Sequence, residues 1–78
     1  MTMQVETEFE MVHRHIREGI AAIARQHDII ADLRGTGHST EIPERLLALY
    51  ERVQLCHEAH LARLEADHSG EMLVAATA

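Results

Sequence analysis

Apolar side chains return along this chain every three or four residues, in two long stretches with one break between them. From Phe9 the steps alternate four and three, through His13, Ile16, Ile20, Ile23, His27 and Ile30. From Leu46 the same rhythm runs through Tyr50, Val53, His57, His60 and Leu64, flanked by Leu49, Cys56 and Leu61. At about 100° per residue each series falls on one face of a helix, which Val5 and Val12 also join. A four-three alternation sustained over several turns describes a seam between helices that lie nearly parallel or antiparallel.

Two breaks bound these stretches. Gly35-Thr36-Gly37-His38-Ser39-Thr40 is a turn, with Pro43 just beyond it, and Ser69-Gly70 is the second break. The pattern therefore predicts a single domain over 1–78: a helix at about 4–34, a turn at 35–41, a helix at about 42–68 and a flexible tail at 69–78. Gly35 stands where a left-handed residue would end the first helix. Thr40 is the best N-cap of the second, although Pro43 disfavours helical backbone at Ile42 and offers a later start with itself at the first helical position. A connection this short makes the helices antiparallel neighbours. With the turn near His38, His27 comes opposite Tyr50, His57 opposite Ile20, His60 opposite Arg17 and His13 opposite Leu64. Glu10–Arg14, Arg14–Glu18, Glu41–Arg45 and Arg63–Asp67 are four apart with opposite charges, worth a few tenths of a kcal/mol each.

A lone hairpin leaves apolar residues uncovered. Met11, Ile29, Leu33, Leu47 and Leu55 lie off the seam. Gly19, inside the first helix, costs on the order of 1 kcal/mol against Ala unless it allows a close approach. The fold class expected is all-α: an antiparallel two-helix hairpin dimerising into a four-helix bundle.

Composition narrows the function. The formal charge is −6, and all of the seven basic residues are Arg, so the phosphate backbone of nucleic acid is repelled. No stretch approaches the roughly 18 apolar residues that a membrane span requires. The N-terminal Met1-Thr2-Met3-Gln4-Val5-Glu6 has no basic region followed by an apolar one, so no secretory signal is expected. A single Cys56 fits a reducing, cytoplasmic setting and is expected as a small buried side chain. The apolar end, Met72-Leu73-Val74-Ala75-Ala76-Thr77-Ala78, is expected to be disordered.

Seven histidines are the compositional anomaly. Of these, His13, His27, His57 and His60 lie on the apolar seams. A metal site from His13, His57 and His60, with Glu10 or Glu6, is the alternative to histidines that simply pack. His57-Glu58-Ala59-His60 has its histidines three apart, whereas a zinc-protease helix needs four. Glu10-x-x-His13 has a di-iron spacing, but Glu10 points off the seam and the second helix lacks a counterpart. Cys56 and its neighbour His57 diverge around the helix, and nothing supplies an oxyanion hole. Gly35-Thr36-Gly37 lacks the Lys and Ser/Thr of a phosphate loop. No catalytic residue and no cofactor is expected.

His15-x-x-x-Gly19, Ile23-Ala24-Arg25-Gln26, Leu33, Gly37-His38-Ser39-Thr40, Leu46-Leu47 and His57-x-x-His60-Leu61-x-Arg63-Leu64 together resemble a group of short uncharacterised bacterial helical-hairpin proteins. The resemblance covers roughly residues 13–64. It implies the hairpin fold and a bacterial cytoplasmic setting, and carries no activity with it. The functional expectation is a non-enzymatic protein-interaction or regulatory module acting as a homodimer on an unidentified protein partner. A metal- or small-ligand-binding bundle is the alternative.

Overall fold

The computed structural model describes the backbone of residues 5–77 and the side chains of residues 5–68. Two helices, α1 over Glu8–Gly35 and α2 over Glu41–Thr77, pack side by side, with no strand among the described residues.

Local chemistry sets each helix end. Thr7 is the N-cap of α1, with extended backbone at φ −71° and ψ 163°. Its hydroxyl accepts from the Glu10 amide at 3.1 Å and lies 2.9 Å from Glu10 Oε1, to which it donates. Thr7 thus caps the first turn through its hydroxyl, and it starts α1 later than the expected residue 4. Arg14 then pairs with Glu6 through two bonds of 2.9 Å and with Glu18 at 3.1 Å, rather than with Glu10. The guanidinium holds the Glu6 carboxyl below the usual glutamate value.

The left-handed residue after α1 is Gly37, at φ +75°, rather than Gly35. The His38 amide donates to Leu33 O at 2.9 Å and the Gly37 amide to Arg34 O at 3.2 Å, which together form a Schellman cap. The helix therefore takes in Gly35 before it stops. In α2, Glu44 N donates to Thr40 O at 2.9 Å, which puts Thr40 at the N-cap position, while Ser39 Oγ accepts from the Glu41 amide at 3.4 Å. Pro43 falls at the third helical position, where its missing N–H removes no intrahelical bond. At the other end α2 runs through Ser69-Gly70 to Thr77, where a flexible tail was expected. One glycine among Glu, Met, Leu and Ala costs too little helix propensity to end the element.

The contact between helices is rotated from the expected seam. Val12 is fully buried and Ile30 nearly so, and the other buried residues among those described are Gln26 and Gln54. Gly19, Ala22 and Ile23 lie between Val12 and Gln26 on the same flank of α1, with Leu47, Tyr50 and Leu61 partly covered on α2. Ile20, Leu46 and Val53, expected at the seam, are exposed, and so are His13 and His27. The two glutamines explain the rotation. Gln26 Nε2 donates to Pro43 O at 2.9 Å, and Gln54 Nε2 to Ile16 O at 3.0 Å. Each helix thus reaches into the backbone of the other with a buried amide.

The register also differs from expectation. His57 meets His15 instead of Ile20, and His60 meets Glu8 instead of Arg17. The connecting residues 36–40 are not helical and so advance farther per residue than the helical rise of about 1.5 Å. Counting residues back from the turn therefore misplaces α2 by more than a helical turn.

The result is a thin slab of 65 × 35 × 14 Å with a radius of gyration of 18.5 Å. A compact chain of this length would have a radius near 11.5 Å. Two helices make one layer, and one layer has two open faces.

Candidate functional site

The rotation opens a cleft of about 340 Å³ along one face of the slab. Gly19 and Ala22 of α1 form one wall, Leu49, Tyr50 and Val53 of α2 the other, and His15, His57, Glu18 and Gln54 supply its polar groups. Small side chains on α1 make the space, because large ones at Gly19 and Ala22 would fill it.

Gln54 connects the cleft to the helix interface. It is only 7% exposed, and its Oε1 has no hydrogen-bond partner among the described residues. The Ile16 carbonyl accepts from Nε2, which fixes the orientation of the amide and directs Oε1 at Gly19. A Cβ on Gly19 would overlap Oε1 and lie 2.8 Å from Cδ. Gly19 thus accommodates a side chain of its own hairpin. A Gly at helical spacing was legible in the sequence, but the glutamine that fills its space was not singled out.

His15, which lies off the expected seam, sits against His57 with ring centres 4.9 Å apart and planes tilted 44°. The three histidines of the alternative metal site are separated: His13 is exposed, His57 faces His15, and His60 Nε2 lies 3.0 Å from Glu8 Oε1. Among the described residues no three His, Cys, Asp or Glu side chains converge to hold a metal ion. His27 is exposed and makes no core pair with Tyr50. Cys56, expected to be buried, is an exposed thiol. The rotation of α2 accounts for that, since it turns the Cys56 flank away from α1.

Around the cleft the surface is apolar. Leu49 and Val53 line it, and at about 100° per residue Ile42 and Leu46 fall on the same edge of α2. All four are exposed, Ile42 to 76%. Met11, Ile29 and Leu33 fall on the matching edge of α1. The opposite edge of α2 carries Glu44, Glu51 and Glu58, so the two faces of the slab are chemically unlike.

Among the described residues no helix is long and apolar enough to cross a membrane. No protein-family model matches the chain, and no curated protein and no solved structure matches it.

Proposed function

We propose that the chain is a non-enzymatic interaction module in which two hairpins pair through their cleft faces into a four-helix bundle. The observation that carries this reading is the exposed strip of Ile42, Leu46, Leu49 and Val53 beside the cleft. An apolar strip that α1 does not cover is covered most economically by the same strip of a second copy.

Areas support the pairing. A compact monomer of this mass exposes about 4,800 Å², whereas this chain exposes 6317 Å². The surplus, about 1,500 Å², exceeds the roughly 800 Å² that each partner contributes to a standard interface. The monomer's own core is small: Val12 and Ile30 are its buried apolar residues among those described. Burial of two such side chains contributes only a few kcal/mol against the entropy of ordering a chain. Face-to-face pairing through the cleft leaves the acidic edge of α2 outermost, available to a protein partner with basic groups.

Sedimentation equilibrium at micromolar concentration tests the reading. The expected species is a dimer, and Leu46→Glu should shift it towards monomer because a carboxylate would be buried at the strip. A stable, fully helical monomer of 8.8 kDa under those conditions would overturn it.

A further inference from the structure

The cleft holds a second feature that does not depend on the apolar strip. His15 and His57 come from different helices and line the cleft together, both half-buried. Their ring centres are 4.9 Å apart. Two imidazoles sharing one tetrahedral ion, with metal–nitrogen bonds of about 2.0–2.1 Å, hold their ring centres about 5 Å apart. Aromatic pairs held by their own attraction favour offset-parallel or edge-on arrangements, and the 44° tilt is neither.

The ring nitrogens are also uncommitted. Among the described residues the histidine hydrogen bonds are those of His38 with Thr36 and His60 with Glu8. A chain of net charge −6 attracts cations to such an opening.

We propose that His15 and His57 form a two-imidazole site for a divalent transition-metal ion of the zinc, nickel or copper class. Neutral imidazole suits these metals, whereas magnesium and calcium require oxygen ligands. With no third His, Cys, Asp or Glu converging among the described residues, water completes the coordination. The ion bridges α1 to α2, so it binds the folded hairpin in preference to the unfolded chain and stabilises it by mass action. The site needs the side chains of one chain only, so it goes beyond the dimer reading.

The test is thermal unfolding followed by circular dichroism, at one protein concentration, with zinc chloride or magnesium chloride added. Zinc should raise the Tm progressively and magnesium should not. His15→Gln and His57→Gln should each remove the rise, whereas His13→Gln, on the exposed side, should keep it. Electron paramagnetic resonance of the wild-type protein with one equivalent of Cu(II) should show coupling to two imidazole nitrogens. That measurement stands even if a variant fails to fold. No Tm rise at millimolar zinc, a rise that survives in the His15→Gln/His57→Gln double variant, or a copper spectrum without two nitrogens would each overturn the proposal. Sedimentation in the absence of metal is a separate readout, so failure of the dimer reading and failure of this one are told apart.

Discussion

Gly19→Ala tests the interlock between the two helices most directly. In a free helix interior this change stabilises by about 1 kcal/mol, because alanine loses less backbone entropy on folding. Here the added Cβ overlaps Gln54 Oε1, so the amide must swing out into the open cleft. That movement breaks the Gln54–Ile16 bond, worth about 0.5–1.5 kcal/mol. It also uncovers side-chain methylenes, at about 0.8 kcal/mol for each one fully exposed. Rehydration of the unpartnered Oε1 returns on the order of 1 kcal/mol. Gains and losses are then similar, and Gly19→Ala should be close to neutral in the wild-type background. With Gln54→Ala already present nothing blocks the Cβ, and the gain of about 1 kcal/mol should appear in full. The assay is a double-mutant cycle from urea unfolding followed by circular dichroism, at one fixed protein concentration because self-association enters the stability. The cycle should give a coupling of about 1 kcal/mol. An equal gain in both backgrounds would refute the interlock.

Other outcomes follow from burial and charge. Val12→Asp should unfold the protein, because Val12 is 0% exposed and an unpaired carboxylate there costs several kcal/mol; a cooperative melt for that variant would contradict its place in the core. Cys56 is exposed on the single hairpin and lies seven residues beyond Leu49, on the edge the second copy covers, so a thiol reagent should label it faster as dilution dissociates the dimer, and a rate independent of protein concentration would contradict that pairing. The Glu6 carboxyl is lowered by its bonds to Arg14, so its contribution is present above the ordinary glutamate value and is lost as pH falls through the depressed folded one. A carbon-detected NMR titration should place its midpoint below that of a free glutamate, and Arg14→Gln should return it there.

The two helices, their antiparallel order and the place of the turn are legible in the amino-acid pattern alone. Those features rest on local chemistry: four-three apolar spacing, Thr40 at the N-cap position, and a glycine-bearing break in which Gly37 takes the left-handed backbone of a Schellman turn. The start of α1 was legible too, in Thr7, although the apolar period drew the expected boundary earlier. Tertiary structure decided which flank of each helix faces the other. A helical period defines a stripe but leaves its partner open, and Gln26 and Gln54 read as surface residues until each finds a carbonyl across the interface. Once those amides are buried, Gly19 must lie beneath Gln54, and the stripe of α2 turns outward onto the cleft face. The same rotation exposes His13 and Cys56 and joins His15 to His57. No spacing along the chain encodes that pairing, because it depends on the axial rise of the non-helical turn and on the angle each helix takes about its own axis.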